Sequence, residues 1–155
     1  MSTVFLSYSA KDHIFADLAE EKLAKANIKL WRDNGGQLLA GTDWREGIER
    51  GISGSFAVLV ALSQHSAASS YVTYEWAYAL GKGKLIIPVK IDECSVHPRL
   101  ERLQHFDFSL PLAKPWESLV ERIHRADREA KSVRAPSPEQ LNAAVAFLRQ
   151  TTGSA

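Results

Sequence analysis

Short apolar runs alternate along the chain with longer segments in which apolar residues recur every three to four positions. The short runs predict buried strands, and the longer periodic segments predict amphipathic helices with one apolar side. The run from Phe56 to Leu62 is apolar at every position, which is typical of a strand covered on both faces of a sheet. We therefore expect this strand to be central.

The full pattern predicts five strands and about five helices, joined by polar or glycine-rich loops. Strict alternation of the two element types is typical of an α/β domain with a parallel sheet between layers of helices. The expected strands lie at 3–7, 28–31, 56–62, 85–91 and 105–108. The expected helices lie at 12–26, from 44 to about 52, at 71–82, at 116–126 and at the end of the chain to about 150.

The length of 155 residues suits one compact domain. After Ala130 the composition changes to a mixed basic and proline-containing stretch, and the serine and glutamine of Ser137–Gln140 match a helix capping box. We therefore divide the chain into a domain at 1–130 and, at 131–155, a linker with a short C-terminal helix.

Charge and composition exclude several classes of partner. Lys plus Arg number 19 and Asp plus Glu number 18, so no overall basic field favours nucleic acid. No apolar run approaches the roughly 20 residues of a membrane helix. The single cysteine, Cys94, cannot form an intrachain disulfide, and residues 1–7 lack the pattern of a signal peptide. We expect a cytoplasmic protein that binds neither nucleic acid nor membrane.

The residues that often carry metal or cofactor chemistry show no supporting pattern. The five histidines have no metal-ligand spacing, and Ser63 with His65 is too local a pair for a catalytic triad. Neither common type of glycine-rich phosphate loop is present. We therefore predict no metal and no resident cofactor, and we interpret Lys11, Arg32 and Arg45 as solvated surface charges.

Four blocks of sequence in a fixed order resemble one family. They are Val4–Ser9, then Trp31–Asp33 leading through Leu39-Ala40-Gly41 to Trp44, then Tyr71–Leu80, then Ile86–Val89. From about Thr3 to about Glu129 the chain is similar to a Toll/interleukin-receptor (TIR) domain, in particular to the NAD-cleaving branch found in bacteria. The resemblance implies a flavodoxin-like, doubly wound, five-stranded parallel sheet of strand order 2-1-3-4-5. Ligands of such sheets bind beyond the carboxyl ends of the strands.

Glu75 is the residue of most interest for function. Glutamate is rarely buried, so on the pattern alone Glu75 would be a surface carboxylate of a helix. The resemblance places it where enzymatically active TIR domains carry the glutamate needed to cleave nicotinamide from NAD. Tyr71 lies one turn earlier on the same side of the helix, where many TIR enzymes have tryptophan.

The resemblance also implies a set of substrate-binding residues. Tyr71 and Trp44 would provide flat apolar walls for a ring of the substrate, although aromatic residues at helical spacing more often belong to a core. Asp33 belongs to a loop that in the family gates the site and contacts neighbouring domains. Tyr8 and Ser9 match the loop after the first strand, beside the substrate. For these three residues the alternative is ordinary turn chemistry.

The function that the resemblance implies is an NAD+ nucleosidase that uses NAD as its substrate and releases nicotinamide with ADP-ribose or a cyclic isomer. Self-association through TIR–TIR contacts would activate it, under an upstream sensor domain or protein, in an immune or cell-death setting such as antiviral defence. A non-catalytic signalling scaffold is the first alternative. A nucleoside deoxyribosyltransferase-like enzyme, which also places a carboxylate at a ribose, is the second.

Overall fold

The structure is a computed structural model that describes residues 2–32, 44–111, 114–134 and 138–152. At its centre lies a five-stranded sheet in which all paired strands are parallel. In chain order the strands are β1 (Ser2–Ser7), β2 (Ile28–Arg32), β3 (Ala57–Leu62), β4 (Leu85–Lys90) and β5 (Phe106–Asp107). Their spatial order, β2-β1-β3-β4-β5, confirms the predicted flavodoxin-like topology and the central position of the Phe56–Leu62 run.

Helices follow the strands, and each expected helix is present. The helices are α1 (His13–Lys25), α2 (Trp44–Ser53), α3 (Gln64–Ala67), α4 (Ser70–Gly81), α5 (Pro98–Glu101), α6 (Trp116–Arg134) and α7 (Pro138–Thr152). A single 3-10 turn at Ala10–Asp12 leads into α1. Within the described residues, no helix combines the length and the apolar character that a membrane crossing requires.

The one-turn helices α3 and α5 were not predicted, because side-chain caps create them rather than a periodic pattern. Ser63 and Ser66 form a reciprocal capping box at the start of α3. At the start of α5, the Nδ1 atom of His97 accepts a hydrogen bond of 3.1 Å from the backbone N–H of Arg99, and Pro98 occupies the first turn. Both segments were expected to be loops.

Helix α6 continues to Arg134, so its last turn extends past the predicted boundary at 130. The change in composition after Ala130 therefore falls inside a helix, and the interpretation of 131–134 as linker was wrong. The terminal helix is present as α7. The division of the chain into a domain and an extension stays a prediction.

Side chains of successive strand residues alternate between two apolar layers. On one face, Val4 and Leu6 of β1 pack with residues of α1 and α6. On the other face, Phe5 of β1 packs with residues of α2 and α4. Strand β3 contributes to both layers, and all six of its residues are buried. Both faces of the sheet are thus covered, as the unbroken apolar run predicted.

Close packing under α2 depends on a glycine. Phe5 and Trp31 stack with ring centroids 4.8 Å apart and an interplanar angle of 16°. A Cβ atom at Gly51 would lie 2.9 Å from Cε2 of Phe5 and 3.0 Å from two atoms of the Trp31 ring. The helix can rest on this aromatic pair only because residue 51 has no side chain.

We expect Gly51→Ala to lower the free energy of unfolding by about 1–3 kcal/mol, the usual cost of overpacking a core. Without the close packing, replacing glycine by alanine would stabilise the helix by up to about 1 kcal/mol. The sign of the change in unfolding free energy therefore distinguishes overpacking from helix propensity. Urea denaturation measures it. Gly81→Ala is the matched control, because an added Cβ at that helical position meets nothing within 4 Å. Equal or higher stability of Gly51→Ala would contradict the packing described above.

Candidate functional site

The candidate site lies at the carboxyl end of β1, where the strand order reverses. The chain winds outward from β1 to β2 on one side and through β3 to β5 on the other, which is the arrangement that opens a crevice beyond the strand ends. Ser7 is the last residue of β1 and pairs with Val60 of β3. Strand alternation places its side chain on the face of Phe5, under α2 and α4.

Helix α4 turns a carboxylate toward the sheet. Its buried residues are Val72, Glu75, Trp76 and Ala79, whose spacing is that of a single helical stripe. Glu75 is 2% exposed and thus lies inside this otherwise apolar stripe. A surface position for Glu75, which the pattern alone suggested, is therefore wrong. Burial of a carboxylate is costly unless hydrogen bonds compensate it, so its partners matter.

Ser7 is one such partner. Its hydroxyl donates a hydrogen bond of 2.8 Å to Oε1 of Glu75, across 68 residues of sequence. Ser7 is itself completely buried. This contact joins the end of the first strand to the helix after the third strand. The sequence analysis treated Ser7 as part of a strand and did not predict its role.

Aromatic side chains surround the start of α2 and of α4. Trp44 and Tyr71 lie with ring centroids 4.5 Å apart, and Trp44 meets Tyr74 edge-on at 5.1 Å. Tyr71 is 41% exposed, whereas Trp44 is half-buried. Trp44 and Tyr71 are thus in contact, and Tyr71 lies one turn before Glu75. Their cluster offers an exposed aromatic surface next to a buried carboxylate.

Charged groups border this cluster. The Cζ atom of Arg45 lies 4.6 Å from the centroid of the Trp44 ring, a distance typical of a cation–π contact. Tyr74 donates a hydrogen bond of 2.7 Å to Glu49, and this bond raises the pKa of the tyrosine. These contacts hold α2 against α4 at the level of Tyr71 and Glu75.

The contacts found for Tyr8 and Ser9 are with residues other than Glu75. Tyr8 packs in the layer of α1 and α6, on the opposite face of the sheet. Its hydroxyl accepts a hydrogen bond of 3.3 Å from Arg32. Ser9 caps the 3-10 turn by accepting a hydrogen bond of 3.3 Å from the backbone N–H of Lys11. This cap is a contact typical of turn chemistry. A substrate role for Tyr8 and Ser9 stays a prediction, and Asp33 lies outside the described residues.

Arg32 was interpreted as a solvated surface charge, which was wrong. Its side chain is 18% exposed and lies 2.7 Å from Asp17 and 3.0 Å from Glu20. Burial by itself lowers the pKa of Arg32, but the hydrogen bonds to Tyr8, Asp17 and Glu20 together raise it above its usual range. Arg32 therefore fixes the end of β2 to α1, away from Glu75.

A cavity lies between α3, α4 and the segment that leads into α5. It has a volume of about 300 Å³ and is lined by residues that include Ser63, Trp76, Cys94 and His97. Burial raises the pKa of the Cys94 thiol, which disfavours the thiolate that nucleophilic chemistry would need. Ser63 donates a 2.5 Å hydrogen bond to Asp12, which ties the loop after β3 to the loop after β1. Among the described residues, no group of three or more His, Cys, Asp and Glu side chains could hold a metal ion.

Comparison with solved structures supports the fold. The chain is similar to the TIR domain of the Toll-related receptor TRR-2 from Hydra magnipapillata, with 22% identity and a TM-score of 0.67 over 78% of this chain and 97% of that chain. It also resembles the TIR domains of the activated Roq1 resistosome recognising the effector XopQ, with 16% identity and a TM-score of 0.57 over 81% and 98%. A 2-desoxiribosyltransferase from Leishmania mexicana is similar at 13% identity and a TM-score of 0.50 over 66% and 71%.

A search of curated protein sequences found no match to this chain. A family model described as TIR domain does match, over residues 4–124. These residues include most of β1, the other four strands and the helix that carries Glu75. With the strand order in agreement, the chain belongs to the TIR domain family.

Proposed function

We propose that this TIR domain is an NAD+ nucleosidase that breaks the bond between nicotinamide and ribose. The observation that carries the proposal is the position of Glu75, a buried carboxylate at the switch point of the sheet, one turn from exposed Tyr71. This position matches the glutamate that NAD-cleaving TIR domains use. Perturbed or buried acids in such crevices are frequent at functional sites.

One carboxylate suffices for this reaction. When the bond between ribose C1′ and the nicotinamide nitrogen breaks, its electron pair goes to the nitrogen, and the cationic ring leaves as neutral nicotinamide without needing a proton. Positive charge grows on the ribose as the bond stretches. A carboxylate that binds the ribose hydroxyls stabilises this charge more in the transition state than in the ground state. We assign this role to Glu75.

Two products are compatible with this step. Water can attack C1′ and lose a proton to solvent, which gives ADP-ribose. A nucleophilic atom of the same molecule can instead attack C1′, which gives a cyclic isomer of ADP-ribose. Both routes share the departure of nicotinamide, so nicotinamide release is the assay that tests the proposal whichever product forms.

We expect Glu75→Ala and Glu75→Gln to abolish nicotinamide release, with a loss of at least about 100-fold in kcat, because electrostatic stabilisation of the transition state disappears. Glu21→Gln is the control, since Glu21 is also a helical carboxylate but lies on α1, and its side chain is 63% exposed. Chromatography of the products measures release. Full activity in Glu75→Gln would remove Glu75 from the mechanism.

The aromatic surface would bind a ring of the substrate. We expect Tyr71→Ala to raise KM roughly 3- to 10-fold, the equivalent of one aromatic contact of about 0.5–1.5 kcal/mol. Tyr71→Trp should retain the affinity of the wild type, because the flat surface remains. Steady-state kinetics with NAD+ measures both variants. An unchanged KM in Tyr71→Ala would place the substrate ring elsewhere.

Self-association is the proposed means of activation, in an immune or cell-death signalling setting and downstream of a sensor domain or protein. The similar Roq1 TIR domains were solved in an activated resistosome, which supports this part of the proposal. We expect nicotinamide release per molecule to rise steeply with protein concentration and with a crowding agent. Light scattering on the same samples reports assembly. A specific rate that stays constant while assembly increases would contradict activation by self-association.

The alternative function is a non-catalytic scaffold that nucleates assemblies through TIR–TIR contacts. Tyr71 stands where many TIR enzymes have tryptophan, which is the observation that favours this alternative. Assembled wild-type protein that releases no nicotinamide would favour the scaffold. Exchange of bases between free nucleosides would instead indicate deoxyribosyltransferase chemistry.

A further inference from the structure

Ser7 occupies a rigid and inaccessible place behind Glu75. It ends β1, and its backbone is in register with Val60 of the central strand. Its exposed fraction is zero, and its only hydroxyl proton is donated to Glu75 and not to solvent. Any effect of Ser7 on a reaction must therefore pass through the groups that it contacts inside the protein.

The contact that Ser7 makes is with Oε1 of Glu75, at 2.8 Å. A serine hydroxyl has one proton to donate, and a carboxylate oxygen can only accept it. Hydrogen bonds to an ionised acceptor are shorter and roughly twice as strong as those between neutral groups. The bond therefore attaches one oxygen of the flexible Glu75 side chain to the sheet, while α4 holds the backbone of Glu75.

Glu75 requires such an attachment. A glutamate side chain loses rotamer freedom when it is ordered, and the apolar neighbours Val72 and Trp76 offer packing rather than orientation. Catalytic groups have to be held within about 0.5 Å of their working position by surrounding side chains. The Ser7 hydroxyl is placed by the strand and not by a loop, so it is a fixed reference point for the carboxylate.

We propose that Ser7 is a positioning residue, whose hydroxyl orients the Glu75 carboxylate toward the ribose of NAD+; this inference rests on the proposed function. Ser7 takes no part in bond breaking and exchanges no proton with the substrate. Its contribution is to reduce the number of orientations that Glu75 samples. The consequence is a loss in kcat, rather than in substrate affinity, when the hydroxyl is removed.

The test is a series at position 7 assayed for nicotinamide release from NAD+. We expect Ser7→Ala to lower kcat roughly 10- to 100-fold, the scale of misplacing a catalytic group. KM should change less than about 2-fold, because the lost interaction acts on the transition state. Ser7→Cys keeps a weak donor of similar size and should fall between wild type and Ser7→Ala.

Two further variants separate positioning from loss of folding. Ser55→Ala is the matched control: Ser55 is 1% exposed and its hydroxyl donates a 2.8 Å hydrogen bond to the backbone oxygen of Gly51. We expect it to retain the kcat of the wild type even where its melting temperature falls. In a Glu75→Gln background, Ser7→Ala should cause no further loss of the residual rate, because the two residues act as one unit.

The outcomes of these assays distinguish the role of Ser7 from the proposed function. Wild-type activity with an inactive Glu75→Ala and a fully active Ser7→Ala would overturn the role of Ser7 and leave the proposed function intact. Equal losses of kcat in Ser7→Ala and Ser55→Ala, at matched concentrations of folded protein, would also overturn it. Assembled wild-type protein without nicotinamide release would overturn the proposed function, and the role of Ser7 with it.

Discussion

The need to cover both faces of β3 determines the rest of the structure. All six residues of this strand are buried, so helices must pack on each side of the sheet. Parallel neighbours then require a crossover after each strand, and every crossover leaves from the same edge. Helices α2 and α4 consequently share one face, next to the end of β1. The meeting of Glu75 with Ser7 is a product of this layering.

The hydrophobic pattern was sufficient to predict the strands and the long helices because that pattern reflects burial. The period of the apolar residues predicts strands and long helices. The strand order followed from the family resemblance. Helices α3 and α5 were missed because one turn is too short for a period, and their caps depend on single side chains. The end of α6 was missed because an exposed polar helix has the composition of a linker.

Glu75 was identified through resemblance, although its burial could have been predicted from the sequence. Val72, Trp76 and Ala79 define the inward stripe of α4, and Glu75 falls on it. Ser7 was equally open to inference, since strand alternation places it on the side of Phe5. The same alternation places Tyr8 on the opposite side, with Val4 and Leu6. Its hydrogen bond with Arg32 could not be predicted, because the two residues are 24 positions apart in sequence.

The contact between Trp44 and Tyr71 has a consequence for any planar ligand. With centroids 4.5 Å apart, the two rings already touch, so a third ring cannot enter between them without separating α2 from α4 at their first turns. Such a separation would break an aromatic contact of about 0.5–1.5 kcal/mol, and ligand binding would have to compensate this loss. The two rings thus form a one-sided platform: a planar ligand can stack on the outer surface of one ring and leave the contact between α2 and α4 intact.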